Sequence, residues 1–150
     1  MGSDTLKIEN TFSYKCPPDK LYGALTSQLG IRNWWTDKCD IEATEKSEAH
    51  FYWNPKGWIV KMQIAMLSQN TLVKWHCIDS NMQDTDAWKG SEVLFQISSE
   101  GSDTSVLRFL HSGYKSSPCF QECAAGWSFV LGKSLKSYLE NGRGMPFLNI

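Results

Sequence analysis

A chain of 150 residues is long enough for one domain and too short for two cores of ordinary size. Its 41% hydrophobic and 13% aromatic content excludes a disordered protein, and no window approaches the roughly 18 consecutive apolar residues of a membrane span. With 15 Lys and Arg against 16 Asp and Glu the formal charge is −1, and no basic block is present to neutralise phosphates, so nucleic acid is not an expected partner.

The first seven residues hold no apolar run resembling a signal peptide, and Leu6 stands where a myristoylation signal wants Ser or Thr. Thr5 to Tyr14 mixes β-branched and aromatic residues with polar ones and reads as a first strand, stopped by Cys16-Pro17-Pro18-Asp19. Leu21, Tyr22, Leu25 and Leu29 then recur at helical spacing, with prolines before them and Gly30 after, which predicts one short amphipathic helix. A second brief helical turn is expected over Ile31 to Trp35.

From about Cys39 to Tyr114 the period changes to two, which predicts an antiparallel meander. Turn signals fall at Asn54-Pro55-Lys56-Gly57, Ser68-Gln69-Asn70, Lys89-Gly90 and Glu100-Gly101-Ser102-Asp103. Trp58, Val60, Met62, Ile64 and Met66 make one face wholly apolar, and Val73, Trp75 and Cys77 repeat the pattern. Val93, Phe95 and Ile97 follow, and in the last strand Leu107, Phe109 and His111 share the inward side. Ser117-Pro118 is a plausible cap for a helix of about 24 residues carrying Phe120, Ala124, Trp127, Leu131, Leu135, Tyr138 and Leu139, ended by Asn141-Gly142. So long an apolar stripe needs a partner surface, and the sheet is the one available. The expected fold is α+β: a curved antiparallel sheet wrapped around a long C-terminal helix, with two short helices after the first strand, all in a single domain over residues 1–150.

This order of elements resembles the START-like, or SRPBCC, superfamily with its helix-grip fold. Local signatures are similar to the branch of the activator of heat shock protein 90 ATPase: Pro17-Pro18-Asp19-Lys20-Leu21-Tyr22, Trp34-Trp35-Thr36, Val73-Lys74-Trp75, Trp88-Lys89-Gly90-Ser91, Phe109-Leu110-His111-Ser112-Gly113, Gly126-Trp127 and Gly142-Arg143-Gly144-Met145-Pro146-Phe147. The resemblance covers nearly the whole chain. Relatives usually carry a glycine pair before the third strand, where this chain has Ser47-Glu48-Ala49, so a different bend is expected at the rim. The resemblance implies a cavity between sheet and helix that takes a small hydrophobic or aromatic molecule. It offers two alternatives. One is a co-chaperone-like module acting on a chaperone of the heat shock protein 90 type, although such activators also carry a separate chaperone-binding domain that these residues do not build. The other is a polyketide cyclase or dehydratase-like enzyme, for which His111 with Tyr52 or Tyr14 is the available chemistry.

Seven tryptophans is a high load for this length; they either fill the core or, with adaptable Met62 and Met66 between them, line an incompletely filled cavity. The expected ligand contacts are Trp58, Met62, Trp75, Phe95, Phe109, His111, Trp127 and Leu131. A buried imidazole must meet a partner, a water or a ligand, and a satisfied structural role for His111 is the first expectation. No carboxylate falls at an inward position to orient a general base, so no catalytic residue is assigned. His50 and His76 are expected at the surface, and Gly126 is read as letting the helix approach the sheet.

The cysteines Cys16, Cys39, Cys77, Cys119 and Cys123 are odd in number and scattered, which suits reduced thiols in a cytoplasmic protein. Neither they nor the histidines have the spacing of a zinc site, and Asp84 to Trp88 lacks the glycine and glutamate of a calcium loop, so no metal or cofactor is expected and a solvated loop is.

Overall fold

In the computed structural model, which describes residues 5–115 and 120–149, the first strand and the period-two region become seven strands joined by antiparallel hydrogen bonding. They are β1 (Thr5–Tyr14), β2 (Cys39–Asp40), β3 (Glu48–Trp53), β4 (Trp58–Ser68), β5 (Leu72–Ser80), β6 (Glu92–Ser99) and β7 (Ser105–Lys115), in the order β1-β7-β6-β5-β4-β3-β2. Alternation puts Val60, Met62, Ile64, Val73, Trp75, Cys77, Val93, Phe95, Leu107, Phe109 and His111 on one buried face. His50 and His76 lie on the other, each beside a glutamate, Glu48 at 3.4 Å and Glu92 at 3.8 Å.

Three irregularities depart from simple alternation. Where Lys61 pairs with Asp79 and Met62 with Cys77, Ile78 of β5 is an extra residue, so Cys77 and Ser80 are both buried while Ile78 is 36% exposed. Opposite β5, Ile64 pairs with Trp75 and Met66 with Lys74, so Ala65 is an extra residue and the faces exchange beyond it. The expected apolar face from Trp58 to Met66 therefore ends at Ile64: Met66 is 48% exposed, and Leu67 packs against the core instead. In β7, Gly113 at φ +76 is skipped between the pairs Leu6–Tyr114 and Lys7–Ser112, which returns Tyr114 to the buried side after His111. The turn before β3 is made by Lys46 at φ +71, a left-handed position filled here without glycine. Lys89-Gly90 is not a hairpin turn; it closes a long connection from Asn81 to Ser91 that contains a 3-10 turn at Met82–Asp84.

The helical segment after β1 differs from its expected form. It is α1 (Pro18–Thr26) and α2 (Gln28–Trp34), separated at Ser27, whose extended backbone breaks the helix and whose hydroxyl accepts the Gly30 N–H at 3.0 Å. Gly30 thus lies inside α2 and not at a helix end. A Cβ there would come within 2.6 Å of the Ala24 backbone, so the two helices cross at a distance only glycine permits. Leu29, 71% exposed, falls outside the buried stripe.

The terminal helix consists of α3 (Phe120–Phe129), a π-helical turn (Val130–Ser134) and α4 (Leu135–Asn141), running on without a gap. The expected cap at Ser117-Pro118 lies outside the described residues. Buried Cys123, Trp127, Leu131, Leu135 and Leu139 are four residues apart throughout. In an ideal α-helix each such step overshoots one turn by about 40° and the stripe would wind away from the sheet. The wider π turn winds back, and the buried Tyr14 hydroxyl fixes it by donating to the Leu131 carbonyl at 2.8 Å. Gly142 at φ +83 ends the helix as expected. Sheet and helix together form the helix-grip fold. Among the described residues no helix is long and apolar enough to cross a membrane.

Candidate functional site

At one end of the sheet–helix interface four loop or terminal segments converge around an open cleft of about 560 Å³. Trp53 and Trp58 flank the tight turn between β3 and β4, and that turn is pinned by Asn81, which accepts the Ile59 N–H at 2.7 Å and donates to the Gly57 carbonyl at 2.9 Å. Trp35 caps α2, Met82 and Trp88 come from the β5–β6 connection, and α3 contributes Cys123, Gly126 and Trp127. Met145, Pro146 and Phe147 close a further side, and Lys56 and Glu122 stand exposed on the lining.

Aromatic rings order this end. Trp35 stacks on Trp127 at 5.2 Å and on Trp88 at 6.5 Å, and Trp88 stacks on Trp127 at 5.6 Å with only 15° between planes. Trp53 meets Trp35 edge-on at 5.2 Å. Each such pair contributes roughly 0.5–1.5 kcal/mol beyond its area burial, so the wall is stiff. Trp58, partly exposed, is held from behind by its indole N–H donating to Asp84 at 3.2 Å, while the Lys56 ammonium lies 5.8 Å from its ring centre. Asp84 to Trp88 is therefore not simply a solvated loop: Asp84 positions one indole, and Trp88 is buried.

His111 lies directly behind the wall. The Trp127 indole N–H donates to its Nδ1 at 3.1 Å, which makes Nδ1 an acceptor and leaves the ring proton on Nε2. Nε2 then donates to the Ser91 Oγ at 2.8 Å, and that hydroxyl donates to the Trp88 carbonyl at 2.5 Å. Burial depresses its pKa to about 3, so it is neutral near pH 7 with both nitrogens engaged. This is the satisfied structural histidine; it orients the Trp127 indole directly and reaches the Trp88 backbone through Ser91.

Of the residues expected to contact ligand, Trp58 and Trp127 line the cleft. Met62, Trp75, Phe95, Phe109, His111 and Leu131 form the fully packed layer behind it. Trp127 is only 2% exposed and turns toward the sheet, its ring 4.6 Å from that of Phe109. Gly126 corrects its expected role: a Cβ there would meet nothing within 4 Å, so it faces the cleft's space and does not bring helix and sheet together. Trp35, Trp53, Met82, Trp88 and Met145 to Phe147 were not expected as lining. They sit at element ends and in connections, where alternation gives no phase; the family-like motifs containing Trp35, Trp88 and Phe147 were the available signal.

The indole N–H groups of Trp75 and Trp88 have no hydrogen-bond acceptor among the described residues. Each of these rings lies edge-to-face with another, Trp75 with Phe95 at 4.9 Å and Trp88 with His111 at 4.8 Å. Cys16, Cys39 and Cys77 are buried thiols whose pKa burial raises, that of Cys77 to about 12, which makes them poor nucleophiles. Cys119 lies outside the described residues.

A family model for Activator of Hsp90 ATPase homolog 1-like protein matches residues 15–140. The solution structure of the Aha1 dimer from Colwellia psychrerythraea is 28% identical, with a TM-score of 0.79, covering 93% of this chain and 99% of that one. An HSP90 activator from Plasmodium falciparum shares the fold at 14% identity and TM-score 0.67, over 85% of this chain and 91% of that one. So does DynU16, from the dynemicin biosynthetic locus, at 14% identity and TM-score 0.68, where 95% of this chain spans 49% of the other. No curated protein matches the sequence.

Proposed function

The chain belongs to the Activator of Hsp90 ATPase homolog 1-like family, and from that premise we propose that it is a binding module holding a small hydrophobic or aromatic molecule in the cleft at the end of the sheet–helix interface. The observation that carries this reading is the cleft itself: about 560 Å³, with five of the seven tryptophans on its wall. That volume lies within the roughly 300–1,000 Å³ of small-molecule sites, and the partly exposed Trp58 offers a flat apolar ring in front of four buried indoles. Trp58 and Trp127 are the expected contacts that remain on the wall, and the other six of that set act by backing it. Binding is favoured over catalysis because His111 has both nitrogens in hydrogen bonds and no Asp or Glu is buried among the described residues.

Tryptophan emission read during titration with 8-anilinonaphthalene-1-sulfonate tests the proposal. Saturable quenching is expected, and Gly126→Leu, which fills the cleft from a position without neighbours, should abolish it while the protein stays folded. Undiminished quenching in that variant, or none in the parent, contradicts the reading. The family description favours a second reading, interaction with a chaperone of the Hsp90 type. It predicts a complex and faster ATP hydrolysis when the two proteins are mixed.

A further inference from the structure

The segment after α4 returns across the open end of the fold and supplies Met145, Pro146 and Phe147 to the cleft wall. Its attachment is polar. Phe147 exchanges backbone hydrogen bonds with the residues after α2, its N–H to the Trp35 carbonyl at 2.9 Å and its carbonyl from the Asp37 N–H at 3.0 Å. The Met145 N–H donates to Ser134 Oγ at 2.7 Å, the same hydroxyl that donates to the Trp34 carbonyl. Gly144 sits so close to the Asn33 carbonyl that a Cβ would lie 2.1 Å from it.

Most of the grip converges on one residue. The Asn149 N–H donates to Asp37 Oδ1 at 2.9 Å, its Nδ2 donates to Thr36 Oγ1 at 2.9 Å and Asp37 Oδ1 at 2.7 Å, and its Oδ1 accepts the Asn54 N–H at 2.7 Å. Apolar burial is modest: Phe147 packs against the core only partly buried, no residue from Gly142 to Asn149 is fully buried, and Met145 and Leu148 are 46% and 55% exposed. Segments held by exposed hydrogen bonds with few buried contacts open locally well below the free energy of global unfolding.

We propose that residues 142–149 are a latched strap, a movable wall of the cleft whose latch is Asn149, and that its release widens the cleft without unfolding the sheet or helix. The opening itself needs no ligand; only its consequence for access rests on the binding reading above.

Amide hydrogen exchange on the full chain decides it. The Asp37 and Phe147 amides, which hold the strap, should exchange through a local opening that leaves the β6–β7 amides protected. Asn149→Ala should accelerate exchange at both by about tenfold or more, as expected for the loss of several modest hydrogen bonds, with the sheet amides unchanged. Gly144→Ala should do the same by pressing the strap off Asn33. Exchange of Asp37 and Phe147 only together with the β6–β7 amides, in the parent and both variants, would overturn the proposal. In the same variants 8-anilinonaphthalene-1-sulfonate should bind more readily; its failure to bind any form would refute the small-molecule reading, whereas the exchange data judge the strap.

Discussion

His111 shows how much one buried side chain can set. Its pKa lies near 3 in the fold against about 6.5 in an unfolded chain, so the unfolded state takes up a proton first as pH falls. The stability that this group contributes is therefore intact above pH 6.5 and declines below it by about 1.4 kcal/mol for each pH unit until about pH 3. Replacing the imidazole with an amide removes that proton from the balance. Urea unfolding at pH 7 and pH 5 should show a loss of about 2 kcal/mol from this group in the parent that is missing from His111→Gln. An equal decline in both proteins would mean the ring is not held neutral by burial. At pH 7 the variant itself should be less stable by about 1–3 kcal/mol, because the Trp127 indole and the Ser91 hydroxyl lose a fitted partner.

At the scale of elements, two glycines in helices give opposite predictions for the same change. Gly30→Ala places a Cβ 2.6 Å from the Ala24 backbone and should cost about 1–3 kcal/mol despite alanine's better helix propensity. Gly126→Ala meets nothing and should gain up to about 1 kcal/mol. Thermal unfolding of the pair checks both signs, and destabilisation by Gly126→Ala would mean that this part of α3 is packed and not open. The same contrast explains what could be read from the chain beforehand. Strand phases were legible because each residue's face follows from its neighbours two places away, and Met62, Trp75, Phe95 and Phe109 lie inside as expected. The bulge at Ala65 was not, since an extra residue leaves alternation intact on either side of it. Nor was the break at Ser27, because Leu25 and Leu29 keep helical spacing across it although only Leu25 is buried. The π turn was equally hidden: steps of four residues fit an ordinary stripe until their accumulated rotation is counted.

For the whole molecule, the hollow lies beside the helix–sheet core and not within it. The interior between helix and sheet is filled by buried residues, and the cleft opens where α2, the β3–β4 turn, the β5–β6 connection, α3 and the strap come together. Periodicity could not locate that junction, because apart from α3 its contributors are strand ends, a turn, a cap and connections. The motifs resembling the family did point there, since Trp34-Trp35-Thr36, Trp88-Lys89-Gly90-Ser91, Gly126-Trp127 and Gly144-Met145-Pro146-Phe147 all meet at it. Seven indoles also make the claim directly measurable. Nuclear magnetic resonance spectra of the indole N–H groups, recorded as 8-anilinonaphthalene-1-sulfonate is added, should move the signals of Trp35, Trp53, Trp58, Trp88 and Trp127 most and those of Trp34 and Trp75 least. Shifts largest at Trp34 and Trp75, or none at any of the seven, would contradict a binding cleft at this end of the fold.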